Sequence, residues 1–302
     1  MKNKLLFLLI LFCVSPAVFS DDYTQTRYPI VLVHTFLGFE KIGQLEYWYG
    51  IPAALQSGGA QVFTARVSTV NSSEARGEQL LAQVEEILAI TGAEKVNLIG
   101  HSHGGETARY VAAMIPEKVA SVTSIGSPVK GTPAADIVKK WAADPRYSAL
   151  ILKLLNGLAV LVDSLSGAHL PQDAAAGLDA LTTEGNLAFN EKFPAGVPAT
   201  ACGEGAYQEN NVRFFSWAGS YPGVTNYSDP SSYALVLTKV FFNEPSNGLI
   251  GRCSSHFGQV IRDNYAMDHL DEVNQLFGLT NPSANPLTIY REHANRLKNG
   301  GL

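Results

Sequence analysis

The chain alternates short continuous apolar runs with longer amphipathic ones. Tyr28-Pro29-Ile30-Val31-Leu32-Val33 is a β-rich run ending at His34. Its lack of polar alternation predicts a strand covered on both faces. A second strand is predicted over 60–67. From Ser73 to about Ile90, Leu80, Leu81, Val84, Ile87 and Leu88 recur at helical spacing. Ser72 or Ser73 can cap this helix, Glu74 and Glu78 complement its first turns, and Gly92 ends it. Lys95-Val96-Asn97-Leu98-Ile99 predicts a strand, 105–114 a helix stopped by Pro116, and 119–125 another strand. This alternation predicts an α/β fold with a largely parallel sheet and helices on both faces. From Pro145 to Gly167, eight Leu, Ile and Val residues recur at helical spacing among few charges. That segment reads equally as an ordinary packed helix pair or as a mobile cover, apolar toward what lies beneath it. Polar and Gly/Pro-rich stretches follow to about Pro230, and Val260 to Leu297 reads as a helix with short loops.

Composition narrows the class. The chain has 302 residues, 46% hydrophobic and 16% charged, enough for one large core in a single domain. A formal net charge of -5 gives no electrostatic reason for a nucleic-acid partner. Lys2 and Lys4 precede an apolar run from Leu5 to Val14, too short to span a bilayer as a mature helix. Small residues follow. A secretory signal over 1–20, cleaved after Ser20, is expected, leaving a domain over 21–302 outside the cytoplasm. Cleavage would remove Cys13 and leave Cys202 and Cys253, which in an oxidising compartment most simply form one disulfide.

The chemistry concentrates at Gly100-His101-Ser102-His103-Gly104, a Gly-x-Ser-x-Gly between a predicted strand and helix. Such a turn strains its serine, needs small residues on both sides, and lifts the hydroxyl above the sheet edge. The next helix aims its N-terminus at the site, where N–H groups favour developing negative charge. Serine needs a base, usually histidine, and in this strand–turn–helix context the order is Ser, acid, His. His256, His269 and His293 all satisfy that order. Two oxyanion donors are expected, the N–H groups of His103 and of Phe36 in the loop His34-Thr35-Phe36-Leu37-Gly38. There is no His-Glu-x-x-His pattern for a metal-dependent hydrolase.

The segments 28–38, 77–110, 201–207 and 253–278, with the elbow Val96 to Gly105 and the tail His293 to Lys298, resemble the secreted bacterial lipases of the Pseudomonas and Burkholderia type. The resemblance implies an α/β-hydrolase fold acting on triacylglycerols at oil–water interfaces, with a helical lid at about 145–168. It implies His269 as base and a Cys202–Cys253 disulfide. It also implies a structural calcium held by Asp229, Asp271 and the carbonyls of Gln275 and Leu279, as suits a hard cation. A lipase-specific folding chaperone and the type II secretion machinery are implied partners.

Two departures touch the catalytic parts. The family's acid position is occupied by Asn247, which cannot carry the charge that stabilises an imidazolium and can hold the wrong histidine tautomer. Glu272, three residues after His269, or Glu244 is expected to substitute. Thr35 stands where the family has glycine, and a β-branched residue resists positive φ. Asn247 keeps open an alternative from another class, a weakened or inactive lipid-binding relative.

Overall fold

The computed structural model describes residues 22–224 and 226–302; the expected cleavage site after Ser20 lies outside them. In chain order the strands are β1 (Ile30–Val33), β2 (Lys41–Ile42), β3 (Leu45–Glu46), β4 (Val62–Thr64), β5 (Val96–His101), β6 (Val119–Ile125), β7 (Gln208–Glu209), β8 (Val212–Gly219) and β9 (Gln259–Tyr265). The helices are α1 (Ile51–Gln56), α2 (Ser73–Thr91), α3 (His103–Met114), α4 (Pro133–Ala143), α5 (Ser148–Ser166), α6 (Ala174–Asp179), α7 (Thr183–Lys192), α8 (Pro230–Thr238) and α9 (Pro286–Asn299).

The main sheet runs β4-β1-β5-β6-β8, all parallel. The far side of β8 pairs with β7 in an antiparallel hairpin and then with β9 in parallel. Every residue of β1, β5 and β6 is buried, as their unbroken apolar runs required. The period of two in β1 divides it between two cores. Val31 and Val33 pack with Leu80 and Val84 of α2 and Val111 of α3. Ile30 and Leu32 face Trp48, Leu55 of α1 and Tyr290 of α9. Helices therefore cover both faces, as expected.

Helix α2 matches its prediction: the Ser72 side chain accepts from Ala75 N–H, and Gly92 closes the helix at φ 68°. The strand expected over 60–67 shrinks to three residues at an edge. Strands β8 and β9 fall in stretches read as polar or loop. Strand β8 is nearly all buried despite Arg213, whereas β9 is a half-exposed edge whose polar residues hide its period. Helix α5 leaves Leu150, Leu154, Leu158, Leu161 and Leu165 exposed, while Leu155 and Ala159 pack inward beside Phe36 and Val70. By length and composition α5 could also cross a membrane. The Cys202–Cys253 disulfide forms, closing a loop of 51 positions.

Helix α3 buries Glu106 completely, with no hydrogen-bond partner for either carboxylate oxygen. Burial pushes its pKa up from 4.5 to about 7, against the pull of Arg109 and Arg76. A raised folded pKa means that the protonated form favours the fold. This stability is full below 4.5 and is lost as pH rises to about 7. Glu106→Gln is expected to flatten that part of a plot of Tm against pH, removing a term on the order of 3 kcal/mol.

Candidate active site

Strand β5 runs straight into α3 through Ser102, which sits at φ 53°, ψ -128°. The turn is tight enough to dictate its neighbours. A Cβ on Gly100 would lie 2.1 Å from the Gly104 carbonyl oxygen, and one on Gly104 would lie 2.1 Å from that of Val33. Ser102 N–H is anchored to the Ile125 carbonyl at 2.8 Å, so β6 holds the strained residue in place. The hydroxyl reaches a cavity of about 480 Å³ whose walls include Phe36, Leu155, Leu178, Leu249 and His269.

Of the three candidate bases, only His269 lines this cavity. His256 is spent between the Gly203 carbonyl and Asp263, at 3.1 and 3.0 Å. His293 is buried against Thr123 at 2.7 Å. Burial pushes the pKa of His269 down to about 3, with His101 adding to the effect, so its imidazole is neutral and able to accept a proton.

What faces the Nδ1 of His269 is Asn247. The Asn247 Oδ1 accepts from Leu249 N–H at 3.1 Å and Ile250 N–H at 2.8 Å, which fixes the amide's orientation. The Nδ2 group therefore points at His269 Nδ1 (2.9 Å) and at Glu272 Oε1 (3.0 Å). A donor facing Nδ1 makes that nitrogen an acceptor and puts the ring proton on Nε2, the tautomer opposite to the one a general base needs.

Glu272 lies just behind, with Oε2 3.6 Å from His269 Nδ1. Its carboxylate accepts from Gly219 N–H at 2.6 Å and from His101 Nε2 at 3.1 Å. Tyr47 fixes the tautomer of His101 by bonding its Nδ1 at 2.6 Å. Burial pushes Glu272 up to about 7, opposed by His269, Asn247 and Gly219. The other candidate, Glu244, is engaged elsewhere, accepting from Cys253 N–H at 2.9 Å.

In the loop after β1, positive φ falls at Leu37 (58°) and not at Thr35, so the β-branch is unstrained there. Phe36 N–H makes no hydrogen bond among the described residues. The loop is stapled by fully buried Arg76, which donates to the carbonyls of His34 and Thr35 at 2.5 and 3.1 Å. Sequence reasoning missed Arg76. Its place on the inward stripe of α2, one position before Gly77, was the available signal.

Asp229 and Asp271 do come together, with Asp268 as a third member that the sequence analysis did not include. Ligand oxygens of all three lie within 4.8 Å of one another, and all three residues are buried. Ser232 Oγ touches both Asp229 and Asp268, at 2.7 and 2.6 Å, but one hydroxyl has one proton to give. The Oδ1 of Asp271 is buried with no partner, and burial with repulsion from Asp268 pushes that group up to about 8. Uncompensated carboxylate charge of this density fits a hard divalent cation. The backbone carbonyls of Gln275 and Leu279 accept no hydrogen bond among the described residues, which leaves both available.

The parallel strand order and the strained turn at Ser102 define an α/β hydrolase. A family profile described as alpha/beta hydrolase fold matches residues 28–273. A triacylglycerol lipase of Vibrio cholerae is 53% identical, over 99% of this chain and all of that one. The triacylglycerol lipases of Pseudomonas fragi and Burkholderia plantarii are each 43% identical, over 93% and 95% of this chain and 100% and 90% of theirs. Among solved structures, EstA from Clostridium botulinum superposes with a TM-score of 0.61 at 19% identity, covering 91% of this chain and 88% of that one, a likeness of fold alone. The chain belongs to the bacterial triacylglycerol lipases of the Pseudomonas and Burkholderia type, which are carboxylic ester hydrolases.

Proposed function

We propose that the chain hydrolyses triacylglycerol esters by acyl transfer to Ser102. The carrying observation is that Ser102, on its strained turn, and His269 line one apolar cavity. Ser102 attacks the ester carbonyl, His269 takes its proton and returns it to the leaving alcohol, and water then releases the fatty acid. The N–H groups of Phe36 and His103 receive the oxyanion. The charge that steadies the imidazolium comes from Glu272. A small shift of the ring would close the 3.6 Å separation, provided the ring proton moves to Nδ1. Helix α5 acts as the lid, its exposed leucines meeting lipid while Leu155 faces the acyl cavity. An exported protein that folds with the family's chaperone and leaves by type II secretion accords with the disulfide and the relatives.

An organophosphonate ester tests the nucleophile. Mass spectrometry is expected to find one adduct, on Ser102, formed faster above the concentration at which a triacylglycerol emulsion appears. Labelling elsewhere, or none, would refute the assignment. A second reading, a weakened relative that binds lipid and turns it over slowly, is favoured by the Asn247 amide at 2.9 Å from His269 Nδ1.

Calcium would be held by Asp229 and Asp271, with Asp268 beside them and the carbonyls of Gln275 and Leu279 completing an oxygen shell. It would offset most of the charge of the three carboxylates and so hold the segment bearing His269. At calcium 1,000-fold above Kd the linkage is about 4 kcal/mol. Chelation is therefore expected to lower Tm by roughly 10 °C in calorimetry. An Asp271→Asn variant is expected to show no such drop.

A further inference from the structure

Asn247 is followed by Gly248. Asparagine before glycine is the sequence at which a side-chain amide is most open to attack by its own backbone, because glycine has no Cβ to shield the following nitrogen. The chain has three such pairs: Asn156-Gly157, Asn247-Gly248 and Asn299-Gly300. The first lies inside α5, and Gly300 N–H is held by the carbonyls of Arg296 and Leu297 at the end of α9. Helical bonding occupies those nitrogens. The middle pair is in neither helix nor strand, and Gly248 N–H reaches only Ser246 Oγ, at 3.4 Å.

The surroundings of Asn247 resemble a small acyl-transfer site. Two N–H donors, from Leu249 and Ile250, aim at its amide oxygen at 3.1 and 2.8 Å, where charge would build if Cγ became tetrahedral. Its Nδ2 touches Glu272 Oε1 and His269 Nδ1, acceptors that can take up a proton released by Gly248 N and hand it to a departing amine. Leu249, Ile250 and His269, which surround the amide, also line the cavity. The positive φ of Gly248 (99°) by itself explains a glycine there, but not the donors converging on the preceding amide.

We propose that Asn247 is a self-modification site whose product, aspartate, sets a carboxylate directly on His269 Nδ1, where the encoded chain offers only Glu272 at 3.6 Å. Gly248 N attacks Asn247 Cγ and loses its proton toward Ser246. The Cγ–Nδ2 bond breaks, and the amine leaves as ammonia after gaining one proton. Water then opens the cyclic imide, its oxygen staying on Cγ and a hydrogen returning to Gly248 N. The sum is amide plus water giving acid plus ammonia, with no oxidant or cofactor. The new carboxylate keeps the Leu249 and Ile250 donors on one oxygen and offers the other to the N–H at His269 Nδ1. This rests on the reading of His269 as base, so its chemistry is measured separately from activity.

Freshly purified protein is incubated at mildly alkaline pH in heavy-oxygen water. The peptide carrying residue 247 is followed by mass spectrometry, and esterase rate is read on the same samples. Aspartate carrying one heavy oxygen is expected to accumulate at 247 while Asn156 keeps its amide. The rate is expected to rise in step by roughly tenfold or more, toward that of Asn247→Asp, within the about 10⁴ that this exchange is worth in a serine-protease triad. Asn247→Gln, whose longer side chain closes a six-membered ring reluctantly, is expected neither to convert nor to activate. An amide still intact at 247 once Asn299 has converted would overturn the proposal, as would isoaspartate or aspartate forming with no gain in rate. A made Asn247→Asp variant without esterase activity would instead remove the reading of His269 as base.

Discussion

Ser102→Ala is expected to lower kcat for ester hydrolysis by about 10⁶ when measured in the Asn247→Asp background. Alanine keeps the turn's strain, since the φ of 53° at this position disfavours any side chain alike, so thermal stability should change little. What is lost is the oxygen that forms the acyl intermediate. The oxyanion donors and the acyl cavity remain, and they set a floor of about 10³ to 10⁴ above water. In the encoded chain the same substitution costs less, because nucleophile, base and charge act as a unit and Asn247 has already removed part of the effect. A fall of only a few fold in the aspartate background would mean that water attacks the ester directly.

Glu272→Gln is expected to lower kcat/KM of freshly made protein by roughly 10² to 10⁴, the range open to a triad that loses its carboxylate. It removes the carboxylate that stands 3.6 Å from His269 Nδ1, while Gln can still meet Gly219 N–H. Glu244→Gln should be silent in activity, because that side chain serves Cys253 N–H. Asn247→Asp is expected to raise the rate roughly 10- to 1,000-fold and to shrink the cost of Glu272→Gln, and a double-mutant cycle reads that coupling. Equal losses from Glu272→Gln in both backgrounds would give Glu272 a purely structural role. Circular dichroism and Tm on the same proteins separate that outcome from unfolding. Both experiments bear on one arrangement, in which His101, braced by Tyr47, and Gly219 hold Glu272 while Asn247 stands between it and the base.

Local pattern alone determined β1, α2, β5, α3 and the strained serine between them. Each depends on neighbours a few residues away: an unbroken apolar run, a stripe at helical spacing, a cap, two glycines around a serine. Strands β8 and β9 escaped because their placement comes from partners in the sheet; β9 at the edge is free to be polar. The choice of His269 over His256 and His293 was likewise a matter of which ring faces the cavity, a question of direction that periodicity does not reach. Asp268, unremarkable along the chain, became a member of an acidic cluster only when α8 brought Asp229 and Ser232 against it. Arg76 likewise became a staple only once β1 delivered two carbonyls to it. The sequence could say that asparagine occupies the acid's position. Only the folded chain, by fixing that amide's oxygen on two backbone N–H groups, decided which face it turns to the histidine and how near Glu272 stands. Hydrogen bonds are directional and act over about 3 Å, so a site whose members lie 171 positions apart, as His101 and Glu272 do, is assembled by packing and cannot be read from order along the chain.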